Sequence, residues 1–459
     1  MKQKNWMQVV VIISILLCAN LTVTSTSIFH GATDTEKKIL DKDVNQNAFP
    51  SDAFDQKIML LMKLAGFPSL SACIIQDDQV IWANGYGYYD LSNQKPATID
   101  TIYLLASITK TIVGTAIMQL YEQDYFALDD DVNRFLPFEL RNPHFPNEPI
   151  TFRMLLSHTS SLNTNTQNEY YWFNFSGDPP FDFFPDPYLK EFLLPDGAYY
   201  TSTVWSETYP PGEKAMYANI GFDLLSYLVE IISGEPFLEY CDQYIFDPLE
   251  MHNTSFNLSE LPLDHVAIPY QRFLGNYYTI NKLDFWFDGN NPPGLYWRPR
   301  FYPAGGLYST VSDLSHFLIA HMNDGLYLDT LILKEETVQL MHELQPDNEI
   351  GYGLAWMHSY VGLNMVATGH GGDIHGVDTW MLYNQSMDTG VIYLANGNPA
   401  YSRLPLRGII PFRLILYSLF TKEGVNHATE QSNDFDLRPS FFFQSLTTIS
   451  NAAIRNLLT

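Results

Sequence analysis

The chain has 459 residues, 46% hydrophobic and 17% charged, so a large core can form and global disorder is excluded. Against 51 Asp and Glu stand 25 Lys and Arg, a formal net charge of −26. No stretch carries the run of cations that a phosphate backbone or an anionic lipid surface requires, so neither is an expected partner.

Lys2 and Lys4 precede an apolar run over 9–19, followed by a small polar stretch over 22–27. These are the three regions of a secretory signal peptide, which residues 1–27 are expected to form, and they imply a periplasmic or extracellular location. The apolar run is short of the ~20 residues that span a bilayer as a helix, so an uncleaved N-terminal anchor is the alternative reading. Cys73 and Cys241 remain after cleavage, free to pair in an oxidising compartment or to act as small buried hydrophobes. Three cysteines in all form neither a disulfide framework nor a cysteine-based zinc site.

Residues 28–50 are polar and patternless, as a linker would be. Phe54, Ile58, Leu61, Met62 and Leu64 then recur at helical spacing up to Gly66. Two apolar runs, 69–75 and 79–82, flank Asp77-Asp78 and predict a hairpin. A helix is predicted over 103–121, where Ile108, Ile112, Val113, Ala116, Ile117 and Leu120 mark a wide buried face. Segments 163–210 and 272–302 read as insertions. Of the 40 residues from Tyr170 to Tyr209, 14 are aromatic, suiting either a wall beside a substrate cleft or a loop packed down through its rings.

Further helices are predicted over 222–232, closed by Gly234, and over 314–322, with Thr310 and Asp313 as a capping box. Segments 364–368, 377–383 and 390–394 read as strands of one sheet, followed by a helix over 406–420 that Pro411 should kink or restart. Residues 423–459 are a polar tail ending in a weak amphipathic stripe. Strands at both ends with helices between them predict an α+β protein, its sheet assembled from the two ends of the chain and a helical region inserted, over 51–422.

Three motifs carry candidate chemistry. Ser107-Ile108-Thr109-Lys110 places a hydroxyl and an amine one helical turn apart. A serine hydroxyl needs a base within hydrogen-bond reach to attack, and apolar neighbours would strip water from the Lys110 amine and make it a usable one. The same spacing at Ser92 and Lys95 runs into Pro96 and cannot open a helix. Tyr217-Ala218-Asn219 follows a Pro-Pro-Gly turn: the phenol is a candidate proton carrier and the amide a candidate holder of a substrate carbonyl. The structural alternative is a satisfied core tyrosine with Asn219 as a helix N-cap. His370-Gly371-Gly372-Asp373 follows the strand predicted at 364–368, and its glycines would let a ligand approach the backbone closely. The N–H groups of Ser107 and Asp373 together would form an oxyanion hole. His370, Asp373, His375 and Asp378 also form a metal-like cluster, although residues 370 and 375 would face opposite ways on a strand.

Taken in this order, together with Leu155-Leu156-Ser157-His158-Thr159-Ser160, Pro211-Gly212-Glu213 and Ala304-Gly305-Gly306-Leu307-Tyr308-Ser309, the chain resembles the serine β-lactamase-related hydrolases over about residues 52–422. That group includes class C β-lactamases, penicillin-binding D-Ala-D-Ala carboxypeptidases, D-aminopeptidases and esterases. The resemblance implies a five-stranded antiparallel sheet packed by helices, with an all-α subdomain and the site between them. It implies Ser107 as nucleophile, Lys110 and Tyr217 sharing the base role, Asn219 binding the substrate amide, and His370 replacing a lysine that many relatives carry. Gly372 and Asp373 would border the substrate, and the charge of Asp373 would disfavour a carboxylate-terminated one unless a nearby cation offsets it. The expected activity is hydrolysis of an ester, amide or peptide carbonyl in a small molecule or peptide, with neither metal nor organic cofactor. The rival readings are a non-catalytic binding protein and a metal-dependent hydrolase using the His370 cluster.

Overall fold

Helix α1 (Ala53–Ala65) follows the predicted periodicity, burying Phe54, Ile58, Leu61 and Met62. It opens a computed structural model that describes residues 53–163, 173–174, 187–273, 276–279, 298–299, 302–346, 348–361, 366–397 and 412–427. The expected signal peptide, the linker, the terminal stripe and most of the aromatic insertion lie outside those residues. No helix among the described residues is long and apolar enough to cross a membrane.

The hairpin of β1 (Ser69–Gln76) and β2 (Gln79–Asp90) turns at Asp77 and Asp78. Both have positive φ, 50° and 58°, the left-handed pair that matches strand twist in a two-residue loop. Strand β2 runs eight residues past its predicted end at 82 and pairs with β3 (Lys95–Pro96). Near the other end of the chain lie β4 (Met357–Tyr360), β5 (Val366–Ile374), β6 (Val377–Asn384) and β7 (Thr389–Ala395). The sheet order is β4-β5-β6-β7-β1-β2-β3, antiparallel throughout, with β1 of the first hairpin beside β7. The two ends of the domain thus meet in one sheet. It has seven strands rather than the five implied by the resemblance. The five segments predicted as strands all belong to it, and the additions are edge pieces of four and two residues, too short to display alternation.

Alternation along β1 divides the core. Cys73 and Ile75 face the helical side, while Leu70, Ala72 and Ile74 face α1 and α6 (Phe412–Leu419). Cys73 and Cys241 are buried free thiols, and burial pushes the Cys73 thiol up to about 12. They are therefore small core residues and not a bridge.

The helix predicted over 103–121 divides in three. Tyr103–Leu104 pairs with Tyr308–Ser309, Ala106–Ile108 forms a 3-10 turn, and α2 runs Thr109–Glu122. Tertiary pairing overrides helical propensity at 103–105, where the Leu105 N–H donates to Leu307 O at 2.8 Å. Helix α2 is buried from Thr109 through Leu120, on all its faces. Beyond it, α3 (Phe152–Leu156) and α4 (Asn219–Ser233) pack in the helical layer. Gly234 closes α4 at φ 80° as predicted. Helix α5 (Val311–Met322) is capped by Thr310, whose side chain accepts from the Asp313 N–H.

Candidate active site

Ser107 lies in the 3-10 turn that leads into α2, and Lys110 follows on its first turn. The residue before the serine, Ala106, has φ 50°, a left-handed backbone that an alanine adopts only under constraint. The constraint is visible on both sides. Thr109 Oγ1 donates to Ala106 O at 2.7 Å, and Thr379 Oγ1 on β6 donates to Leu105 O at 2.7 Å. Lys110 is fully buried, and its Nζ donates to Ser107 Oγ at 3.2 Å and to Ala304 O at 2.5 Å. The Ala304-Gly305-Gly306 segment therefore holds the amine and, through Leu307, the turn itself.

Tyr217 Oη donates to Ser107 Oγ at 2.9 Å, so the hydroxyl of Ser107 receives two side-chain contacts from residues 3 and 110 positions away. Lys110 Nζ sits 5.0 Å from the centroid of the Tyr217 ring and 5.7 Å from that of Phe222. Asn219 is the first residue of α4, whose N-cap is Ala218 with no side-chain cap, so the alternative of Asn219 as N-cap is not realised. It stands half-buried, two residues from Tyr217.

The His370-Gly371-Gly372-Asp373 motif lies within β5 and does not follow it. A Cβ on Gly372 would come within 2.2 Å of both Leu105 O and Thr379 Oγ1, so only glycine lets the strand lie against the turn that carries Ser107. His375 and Gly376 form a two-residue turn between the paired residues Ile374 and Val377. Counting back by alternation turns the backbone N–H of Asp373 away from β6. Among the described residues, pairing with β4 ends at Gly369, and no described strand pairs with that edge of β5 beyond it.

His370 does not bring a cation to the site. Burial pushes its pKa down to about 3, aided by the charge of Lys110. Its Nδ1 lies 2.7 Å from Gly371 O, which can only accept, so Nδ1 carries the proton and Nε2 accepts from Tyr352 Oη at 2.7 Å. The two carboxylates of the metal-like cluster are tied elsewhere. Arg413 Nη2 on α6 binds Asp373 and the fully buried Asp378, each at 3.0 Å, and Gly372 O at 3.2 Å. Among the described residues, no group of three His, Cys, Asp or Glu side chains is arranged to hold a metal ion.

Sequence reasoning missed four participants: the strained Ala106, Arg413, Tyr352 and His158. Arg413 is the cation that offsets Asp373, and it lies 40 residues away on a helix whose sequence shows only an apolar stripe. The ring of His158 lies 4.3 Å from that of Tyr217, tilted by 34°, and its Nδ1 accepts from the Ala218 N–H at 3.1 Å. Burial, followed by the charges of Lys110 and His370, holds His158 well below its ordinary pKa. Its presence in a phrase shared with a family was the one available signal.

A model of the Beta-lactamase family matches residues 54–408. Protein flp of Staphylococcus aureus (strain N315) is 25% identical over 336 residues, 73% of this chain and 60% of flp. Beta-lactamase-like protein 2 of Dictyostelium discoideum is 26% identical over 350 residues, 74% of this chain and 58% of that protein. The chain thus spans about 60% of the length of the curated relatives it matches. Among solved structures, the octameric penicillin-binding protein homologue from Pyrococcus abyssi superposes with a TM-score of 0.60 at 25% identity, covering 81% of this chain and 77% of that one. D-amino acid amidase from Ochrobactrum anthropi SV3, in complex with L-phenylalanine amide, superposes with a TM-score of 0.60 at 19% identity, covering 81% of this chain and 100% of that one. At that identity the second likeness is one of fold.

Proposed function

We propose a function from one premise: the chain belongs to the Beta-lactamase family, whose model spans residues 54–408. It is a serine hydrolase that cleaves an ester, amide or peptide carbonyl through an acyl-enzyme on Ser107. The observation that carries this reading is the convergence on Ser107 Oγ of Lys110 Nζ at 3.2 Å and Tyr217 Oη at 2.9 Å.

As Ser107 Oγ bonds to the carbonyl carbon, its proton passes into the Lys110–Tyr217 pair, one member of which has given up its own proton and acts as the base. The carbonyl oxygen becomes an oxyanion, held by the backbone N–H groups of Ser107 and Asp373. When the bond to the leaving group breaks, the pair returns the proton to that group. Water then adds to the acyl carbon, losing its proton to the same pair, and Ser107 recovers its own as the acid departs. Asn219 holds the substrate amide, and the β5 backbone at Gly372 and Asp373 borders the substrate. The D-amino acid amidase that shares this fold is the reason amides stand beside esters in the panel below.

Reaction with a fluorophosphonate probe, followed by peptide mapping, tests the assignment. Labelling is expected on Ser107 and lost in Ser107→Ala. A folded protein that takes no label would favour the reading as a binding module, and a Ser107→Ala variant that still turned over ester would overturn the nucleophile. A panel of a chromogenic ester, a D-amino anilide and a cephalosporin distinguishes the substrate classes.

A further inference from the structure

The hydrolytic steps above leave His158 unused, yet the chain on both sides of Tyr217 is fastened to it. The Met216 N–H donates to His158 O at 2.7 Å, the Ala218 N–H donates to His158 Nδ1 at 3.1 Å, and the imidazole packs on the phenol between them, tilted by 34° at 4.3 Å. His158 is 2% exposed and has φ 61°, so it occupies a strained position in the interior, where mere packing would be served by an ordinary apolar residue. Its Nε2 has no hydrogen-bond partner among the described residues, which leaves Nδ1 as the one polar tie of the ring.

The other edge of the imidazole meets the Tyr352 ring at 86° and 4.7 Å. Tyr352 donates to His370 Nε2, and His370 Nδ1 donates to Gly371 O, beside the glycine that packs on the turn of Ser107. The backbone around these rings is tied as well: Asn348 Nδ2 donates to Ser157 O at 2.8 Å, and its Oδ1 accepts the Tyr352 N–H at 3.1 Å. A continuous set of contacts therefore runs from Tyr217 to β5 in the sheet.

We propose that His158, Tyr352 and His370 act as one positioning unit, which fixes the Tyr217 phenol against Ser107 and joins it to the glycine strand of β5. The three are positioning residues and none of them handles the transferred proton. The proposal rests on the serine-hydrolase reading, and it gives a positioning role to His370, which by the sequence resemblance replaces a lysine that many relatives carry. Because His158 stays neutral and its Nδ1 accepts from Ala218, the feature it needs is an acceptor at the Nδ1 position.

That requirement separates two substitutions. His158→Asn can offer an amide oxygen to the Ala218 N–H, and asparagine tolerates the left-handed backbone. His158→Phe keeps the packed ring but leaves that N–H without its acceptor. With p-nitrophenyl acetate as substrate, kcat of His158→Phe is expected to fall about 100-fold with KM changed less than about two-fold. His158→Asn should remain within about ten-fold of wild type despite its smaller side chain. Tyr352→Phe, which keeps its ring and loses the hydroxyl that meets His370 and the Tyr217 phenol, should lose about ten-fold in kcat while its thermal midpoint stays within a few degrees of wild type. It decides the matter should His158→Phe fail to fold. An asparagine variant no better than the phenylalanine one, or Tyr352→Phe at the wild-type kcat, overturns the proposal while leaving the hydrolase reading intact. Wild-type protein whose Ser107 never takes a fluorophosphonate removes both.

Discussion

Gly372→Ala is the smallest change that should disable the site from outside the reacting groups. The new Cβ would stand 2.2 Å from Leu105 O and 2.2 Å from Thr379 Oγ1, and these two atoms bond each other at 2.7 Å. Carbon rarely approaches such atoms closer than 3.0 Å, so 3.0 − 2.2 leaves at least 0.8 Å to be found by moving β5 or the turn. Neither moves alone: the turn is braced by Leu307 and Thr109, and the strand by seven paired residues of β6. Overpacking of this kind costs roughly 1–3 kcal/mol of stability, and a shift near 1 Å between nucleophile and base costs on the order of 100-fold in rate. The assay is the second-order rate of fluorophosphonate labelling, beside a thermal melt. Gly305→Ala is the control, since its Cβ would meet nothing nearer than 3.5 Å on the other side of the same turn, and labelling should stay within about three-fold of wild type. A Gly372→Ala protein that melts and labels like wild type would refute the claim that this close approach holds Ser107 in place.

Lys110→Ala should lower acylation by roughly 10²–10⁴, measured as pre-steady-state release of p-nitrophenol, and a wild-type rate would make Lys110 structural. Arg413→Ala strands the fully buried Asp378 without its cation and should cost about 3–5 kcal/mol in urea unfolding. Burial already raises the Asp378 pKa, so the deficit should shrink from pH 8 to pH 5 as that carboxyl takes up a proton; a pH-independent deficit would contradict this. His321 is 1% exposed, and burial, with the charge of His342 adding, holds its pKa well below the ordinary value. Between pH 7.5 and 5.5 the unfolded chain binds a proton there that the folded chain does not, so wild type should lose about 1.4 kcal/mol more than His321→Gln over that interval. Equal losses in the two proteins would show that His321 is not kept neutral by the fold.

How legible a residue was in the sequence follows from how local its cause is. The apolar rows of α1, α2 and α4, the Asp77-Asp78 turn, the cap at Thr310 and the stop at Gly234 each depend on neighbours within a few positions, and each was readable. Ser107 and Lys110 were readable for the same reason, three residues apart at the head of an apolar helix. The start of that helix was read six residues early, because Tyr103 and Leu104 pair with a strand more than 200 positions away. Strand β5 was read as ending before His370, because two glycines look like a break until β6 is laid beside them.

By itself, then, the sequence determined the α+β order of segments, the five principal strands, and a serine and a lysine placed to share a proton. Those are properties of periodicity and spacing, and they hold wherever the rest of the chain goes. Only the tertiary structure decided that a phenol 110 residues away donates to the serine, that an arginine on the last described helix offsets Asp373, and that His158 grips the backbone on both sides of Tyr217. Each is a hydrogen bond or ion pair between segments that share no local pattern. It exists because closing the sheet from both ends of the chain, in one register, buries those polar groups beside one another, and buried polar groups must find partners.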